Sequence, residues 1–128
     1  MQRLEWSGEE PVGPRALVEA AREQLAEYFA GRRREFELPL DLAGTAFQRR
    51  AWLGLLEIPY GETRTYAEQA RRLGLTRSAR AVGSANARNP LPIVVPCHRL
   101  VGSTGKLTGY AGGLDRKELL LRLEGAIL

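Results

Sequence analysis

The only cysteine and the only histidine of this 128-residue chain are neighbours, Cys97 and His98. A cysteine thiolate is the strongest nucleophile among the side chains, and a neutral imidazole is a base near pH 7. The pair therefore predicts nucleophilic chemistry at Cys97. The alternative is that Cys97 is a small buried hydrophobic residue, which is the commoner role of a lone cysteine.

Adjacent residues do not face each other on a helix or a strand, so His98 is not expected to hydrogen-bond Cys97 directly. One bridging water would bring the thiol proton within reach of the imidazole. A carboxylate is the usual group that orients such a base. Spacing does not show which acidic residue plays this part. The candidates between residues 44 and 128 are Glu57, Glu62, Glu68, Asp115, Glu118 and Glu124.

The charge of the chain is unevenly distributed around a net +4. Residues 1–43 carry six basic and nine acidic side chains, whereas residues 44–128 carry thirteen and six. The basic part is the part that contains Cys97, which favours a polyanionic partner such as nucleic acid. A solvated basic surface is the alternative.

Composition excludes several classes of protein. One cysteine cannot form an internal disulfide, and a free thiol suits a reducing cytoplasm. The chain has too few cysteines and histidines for a zinc site, so we expect no metal and no other cofactor. No apolar run approaches the ~20 residues of a membrane span, and the N-terminus does not resemble a secretory signal. We expect a cytoplasmic monomer without membrane contact.

The first 43 residues predict one helix and a linker. Pro14 suits the first helical position and Gly31 suits the C-terminal end, so we expect a helix at about 14–30. Phe36–Leu42 is predicted to be an extended linker, because Pro39 argues against a central strand. The apolar stripe of the helix consists of Leu17, Ala21, Leu25, Tyr28 and Phe29.

Residues 44–128 begin with a capping box, Thr45 with Gln48, which predicts a helix that ends before Pro59. A second capping box, Thr65 with Glu68, predicts a helix to about Leu73. Gly74 breaks it. The inward residues of the first of these helices are Phe47, Ala51, Trp52 and Leu55.

A further helix follows Gly74, capped by Thr76 or Ser78 and running to about Arg88. Two short helices joined by a glycine-containing turn are typical of a DNA-binding helix–turn–helix, although many such pairs are only structural. Gly83 lies inside the second helix, where glycine costs ~1 kcal/mol relative to alanine. This cost predicts that another group approaches the helix closely at Gly83. Another helix could make that approach, or a narrow DNA groove, with Arg80 as the long side chain near the helix start.

The segment that carries Cys97 is predicted to start with a short buried strand, Ile93–Val95, after a break at Asn89–Pro90. A turn at Gly102–Gly105 and a glycine-rich loop at Gly109–Gly113 follow. The loop lacks a phosphate-binding lysine, so it does not predict a nucleotide site. Asp115 is predicted to cap a last helix that ends at Gly125, with Leu119, Leu120 and Leu123 facing inward.

From about Gly44 to Gly125 the chain resembles the O6-alkylguanine-DNA alkyltransferases, the methylated-DNA–protein-cysteine methyltransferases. The order and spacing of many separated motifs carry the resemblance. These motifs are Phe47-Gln48 with Trp52, Ile58–Thr63, Tyr66, Arg80–Gly83, Asn89-Pro90, Pro96–Arg99, Gly109–Leu114 and Glu124-Gly125.

The resemblance implies a suicide repair protein in which Cys97 accepts the alkyl group from O6 of guanine in double-stranded DNA. It implies that His98, held by Glu124, takes the thiol proton through a water. It also implies that Tyr110 donates to the departing guanine and that Asn89 holds the turn before the active-site strand.

The same resemblance gives DNA-binding roles to Tyr66, Arg80 and Ser103. Tyr66 would push on the neighbouring phosphate, and Arg80 would fill the space of the extruded nucleotide. The alkylated atom lies within the base stack, so the nucleotide must leave it. A small-residue helix with one arginine fits the narrow, nearly degenerate minor groove. The basic residues would add affinity that is independent of sequence.

The expected fold is mostly α with some β: a helical domain, 44–128, with a helix–turn–helix and a short active-site strand. The family's N-terminal ribonuclease-H-like sheet domain is expected to be reduced or absent, leaving 1–43 as a short remnant. Ala111 replaces a hydroxyl residue of some relatives, which implies one hydrogen bond fewer to O6.

Two alternatives to the alkyl-transfer function remain. One is a non-catalytic alkyltransferase-like lesion-binding protein, against which Cys97 argues, and the other is a helix–turn–helix regulator.

Overall fold

The computed structural model describes residues 2–4, 13–74, 79–108, 110 and 112–127. The chain separates into two compact units, Met1–Ala43 and Gly44–Leu128. The fold is mostly helical with two small two-stranded sheets, as expected for this family resemblance. The predicted caps at Thr76 or Ser78, and Ala111 itself, lie outside the described residues.

The first unit contains helix α1, Gly13–Phe29, and one antiparallel strand pair, β1 (Gln2–Leu4) with β2 (Leu40–Leu42). The prediction of a linker throughout Phe36–Leu42 is therefore wrong for its last three residues. Pro39 lies just before β2, where its missing N–H removes no hydrogen bond between the strands. The strand that pairs with β2 is Gln2–Leu4, 36 to 40 residues earlier in the sequence, and local patterns do not reveal a partner at that distance.

Helix α1 turns inward only part of its predicted apolar stripe, with Ala21 and Leu25 half-buried. Tyr28 is fully buried, but Leu17 and Phe29 are exposed. The physical reason is Gln24, one turn before Tyr28. Its amide donates to the carbonyl of Glu37 at 3.0 Å and accepts from the Glu37 N–H at 2.8 Å. Gly31 ends the helix at φ +77, as predicted.

The described residues of the second unit form four α-helices. They are α2 (Ala46–Leu55), α3 (Tyr66–Arg72), α4 (Ala79–Ala87) and α5 (Leu114–Leu123). Both predicted capping boxes are present. The hydroxyl of each threonine, Thr45 and Thr65, accepts from the backbone N–H three residues on, and its own backbone N–H donates to the side chain of that residue. Helices α3 and α4 form the predicted helix–turn–helix, with Gly74 at φ +66 after α3.

A short parallel strand pair brings the start of α3 next to the cysteine. Strand β3 (Arg64–Thr65) pairs with β4 (Leu100–Val101), in the register Arg64 to Leu100. β3 runs directly into α3, and β4 directly follows a 3-10 turn at Cys97–Arg99. The sheet therefore fixes Tyr66, the first residue of α3, against the segment that carries Cys97.

The predicted strand at Ile93–Val95 is wrong, because the active-site strand follows the cysteine instead of preceding it. The Val95 N–H donates to the Leu91 carbonyl at 2.9 Å, and the Cys97 N–H donates to the Val95 carbonyl at 2.8 Å. These local bonds close a tight turn in which Ile93 has φ 78, a conformation that β-branched residues rarely adopt.

Helix α5 begins two residues earlier than predicted, because its N-cap is Gly113 instead of Asp115, which lies in the first turn. The inward stripe is also shifted: Leu119 is 60% exposed and Leu123 is half-buried, whereas Leu120 is buried. The buried residues at this end of the chain follow one another at intervals of three, one and three positions, which places them on one face of the helix. That face carries Lys117, Leu120, Leu121 and Glu124.

Candidate active site

Cys97 lies buried in the first turn after Pro96, with 4% of its surface exposed. Burial raises the pKa of its thiol above the ordinary value, whereas a hydrogen bond from the Asn89 side chain and the charge of Lys117 oppose that rise. The amide of Asn89 also donates to the Val95 carbonyl at 2.7 Å and accepts from the Leu91 N–H at 3.0 Å. Asn89 therefore contacts both the thiol and the turn that leads to it.

His98 is fully buried, and its side chain contacts Glu124 at the end of α5. Its Nε2 lies 2.8 Å from Oε2 of Glu124. The carboxylate of Glu124 can only accept a hydrogen bond, so Nε2 of His98 carries the proton. Nδ1 of the neutral ring is then left as an acceptor. Nδ1 has no hydrogen-bond partner among the described residues, although it is buried. The ring therefore keeps one basic nitrogen uncommitted.

Arg99 holds the carboxylate of Glu124 from the other side. Its Nε and Nη2 donate to the two oxygens at 2.9 Å each, and its Nη1 donates to the Ile58 carbonyl at 2.7 Å. A bidentate fork of this kind is the strongest arrangement that arginine offers a carboxylate. Among the six acidic candidates, the fold thus brings Glu124 to His98.

Burial lowers the pKa of His98 below its ordinary value, and the contact with Glu124 opposes that shift. The positive charges of Arg99 and Lys117 lower the pKa further. The imidazole is consequently neutral at physiological pH, which is the form that can accept a proton.

Two tyrosines lie close enough to Cys97 to be influenced by its charge. Burial raises the pKa of Tyr110 to about 12, and the Cys97 thiolate adds to the rise. Burial also raises the pKa of Tyr66, whose hydroxyl donates to the Thr108 carbonyl at 3.1 Å. Both phenols remain protonated and can act as hydrogen-bond donors. Gly112 leaves room for the Tyr110 ring, because a Cβ there would lie 2.7 Å from it.

Lys117 is a site residue that the sequence reasoning missed. Its ammonium donates to the carbonyls of Leu100 and Thr108 and is fully buried. Burial lowers its pKa to about 8, and the Cys97 thiolate opposes the shift. The available signal was its place in the buried stripe of α5, three residues before Leu120, where a lysine is unusual unless its charge has a partner.

The remaining predicted residues lie outside this buried cluster. Arg80 is exposed in the first turn of α4, and Ser103 is exposed in the turn between Gly102 and Gly105. Within the described residues there is no group of three His, Cys, Asp or Glu side chains that could hold a metal ion. In the same part of the chain, no helix is long and apolar enough to cross a membrane.

The sequence matches two domains of one family. Residues 46–126 match the model of the 6-O-methylguanine DNA methyltransferase DNA-binding domain. The chain belongs to the 6-O-methylguanine DNA methyltransferase family. Residues 7–42 match the ribonuclease-like domain of the same family, so the first unit is a short version of that domain.

Members of the methyltransferase family from distant organisms are similar to this chain. A methylated-DNA–protein-cysteine methyltransferase of Mycolicibacterium paratuberculosis is 60% identical over 87% of this chain and 67% of its own length. One from Methanosarcina acetivorans is 58% identical over 84% of this chain and 69% of its own. The chain spans only 62% of the Mycobacterium tuberculosis relative.

Solved structures of the family have the same fold. Mycobacterium tuberculosis OGT in complex with DNA gives a TM-score of 0.82 at 56% identity, over 84% of this chain and 67% of that one. Schizosaccharomyces pombe Atl1 bound to damaged DNA containing O6-carboxymethylguanine gives 0.57 at 33% identity, over 66% of this chain and 80% of that one.

Proposed function

We propose that this protein repairs DNA by transferring the alkyl group of O6-alkylguanine to its own Cys97, once per molecule. The observation that carries the proposal is the buried arrangement around the only cysteine. Asn89 contacts the Cys97 thiol. His98, the residue after Cys97, is hydrogen-bonded to Glu124 at 2.8 Å. The family membership and the DNA complexes of relatives support the same activity.

The transfer forms a bond from sulfur to the alkyl carbon as the bond from that carbon to O6 of guanine breaks. The electron pair of the broken bond stays with guanine. The thiol proton passes through a water to Nδ1 of His98. The departing guanine anion takes up a proton from solvent water, and the imidazolium returns its proton to solvent. Tyr110, kept protonated by its raised pKa, donates a hydrogen bond to the departing base. A thioether at Cys97 has no route back, so each molecule reacts once.

Duplex DNA is the proposed partner, and α3 with α4 is the proposed contact surface. Arg80, exposed near the start of α4, would occupy the space of the extruded nucleotide. Tyr66, at the start of α3, would press on the adjacent phosphate, and Ser103 would contact the backbone from the turn after β4. A thiol acceptor must stay reduced, so we place this reaction in the cytoplasm.

Gly83 supports a minor-groove contact. A Cβ at this position would lie 3.6 Å from the Tyr66 ring, which is an ordinary packing distance. The close approach that a helical glycine predicts is therefore not required by the part of the protein that the structure describes. A DNA backbone against this face of α4 would require it.

The experiment is to incubate the protein with a duplex that contains one O6-methylguanine and to weigh the intact protein. We expect one methyl group on the parent protein and none on the matched control Cys97→Ala. Tight binding to the lesion without a gain in mass would instead indicate the alkyltransferase-like, non-catalytic function. Equal affinity for modified and unmodified duplex without a mass gain would favour a helix–turn–helix regulator.

A further inference from the structure

We infer that Asn86 is a positioning residue for Cys97, because its side-chain amide joins helix α4 to the backbone carbonyl of the nucleophile. Nδ2 of Asn86 donates to the Cys97 carbonyl at 3.2 Å, and the side chain is buried. The inference rests on the proposed function, since it assigns a residue that makes the transfer efficient.

Asn86 and Asn89 act on the same turn from the same end of α4. Asn86 holds the carbonyl of Cys97, and Asn89 holds the carbonyl of Val95, two residues earlier. Two fixed carbonyls on either side of Pro96 determine how the turn is oriented, and therefore where the Cys97 sulfur points. Without the Asn86 amide, the Cys97 carbonyl would keep the bond from the Leu100 N–H, which lies next to the same turn, and would lose its tie to α4.

The helix that carries these amides is itself anchored. The indole of Trp52, on α2, donates to the carbonyl of Ala85 at 2.8 Å. Ala85 is the residue before Asn86, so the anchor and the amide lie side by side on the last turn of α4. A rigid attachment of this kind holds a reacting atom at a defined place, which bimolecular reactions require.

The second polar atom of Asn86 indicates that the residue is retained for more than packing. Oδ1 is buried and has no hydrogen-bond partner within the described part of the chain. An unsatisfied buried acceptor costs free energy, so leucine, which has nearly the same shape, would satisfy the core better. The bond that Nδ2 makes to the Cys97 carbonyl offsets that cost and is one that leucine could not make.

The test compares Asn86→Leu with Gln69→Met. Gln69 is a matched control, because it too is a fully buried amide that donates to a backbone carbonyl, that of Gly54 at 2.9 Å. Three properties of both variants are measured: the rate of single-turnover transfer from an O6-methylguanine duplex, the affinity for unmodified duplex, and thermal unfolding. For Asn86→Leu we expect unchanged or higher thermal stability and unchanged affinity, with transfer slowed about tenfold. For Gln69→Met we expect lower stability and the parental transfer rate.

A second measurement separates this inference from the proposed function. Amide hydrogen exchange is followed in the Cys97–Arg99 turn, and we expect it to be about tenfold faster in Asn86→Leu than in the parent or in Gln69→Met. A parent that gains no methyl group would refute the proposed function, and the exchange comparison would then judge Asn86 alone. Parental exchange in Asn86→Leu would overturn the positioning role, as would a parental transfer rate.

Discussion

The carboxylate of Glu124 lies 2.8 Å from the imidazole of His98, although twenty-six residues separate them in the chain. Helix α5 delivers the carboxylate from its C-terminal end, and the turn after Pro96 delivers the imidazole. The contact fixes which nitrogen of His98 carries the proton. The other nitrogen is thereby available as the base that the adjacent cysteine needs.

Glu124→Gln is expected to slow transfer about a hundredfold. An amide can present its NH₂ to Nε2 and favour the wrong tautomer of His98. The substitution also leaves Arg99 as a buried charge without its carboxylate, so we expect a loss of about 3–5 kcal/mol in unfolding free energy. Rapid-quench kinetics and urea unfolding measure the two effects. A variant that unfolds as expected but transfers at the parental rate would rule out a role for Glu124 in orienting His98.

The pH dependence of transfer follows from the lowered pKa of His98. A base with a lowered pKa stays neutral to a more acidic pH, so the acid limb of the rate profile is expected below 6.5, the ordinary pKa of histidine. Below that limb the imidazole is protonated and cannot accept the thiol proton.

Arg99→Gln is expected to move this acid limb to higher pH. The arginine charge lowers the pKa of His98, and its removal also strengthens the pull of Glu124 on an imidazolium. Rates are measured over a pH series under single-turnover conditions, with circular dichroism to verify folding at each pH. A limb that stays in place or moves to lower pH contradicts this electrostatic account.

Arg80→Ala is expected to weaken binding to duplex DNA and to slow transfer, because the extruded nucleotide then leaves an unfilled space in the stack. Arg80 is exposed, so the loss should not affect folding. Cys97→Ala is the matched comparison and should bind DNA as the parent does. Fluorescence anisotropy with a labelled duplex measures both. Equal affinity of Arg80→Ala and parent would remove the wedge role from this residue.

Gly83→Ala separates folding from DNA binding. Alanine is the better helix former, and its Cβ would meet the Tyr66 ring at an ordinary distance, so we expect about 1 kcal/mol of added stability at most. Affinity for duplex DNA should fall, because the new methyl group stands on the face of α4 proposed to meet the backbone. If Gly83→Ala binds DNA as tightly as the parent, that face of α4 is not the contact surface.

Features set by local interactions were predictable from the sequence. The capping boxes at Thr45 and Thr65 and the helix ends at Gly31 and Gly125 depend on residues within one turn, and the structure has each of them. The family resemblance supplied the residues of the site, because motif order and spacing are also visible along the chain.

Features set by distant partners were not predictable from local patterns. Ile93–Val95 has the composition of a strand, but Val95 accepts from the Asn89 amide and donates to the Leu91 carbonyl, and these bonds close the segment into a turn. Spacing alone could not select Glu124 for His98, since α5 must first be folded against the turn. The buried ammonium of Lys117 likewise depends on two carbonyls that only the folded chain brings together.

The most direct measurement counts the methyl groups that each molecule accepts and locates them. The parent protein is incubated with excess O6-methylguanine duplex, digested, and its peptides are weighed. We expect one methyl group per molecule, on the peptide that contains Cys97, and no further repair after that. Methyl groups on another residue, continued turnover by the same molecules, or unmodified Cys97 after tight lesion binding would contradict the proposed function.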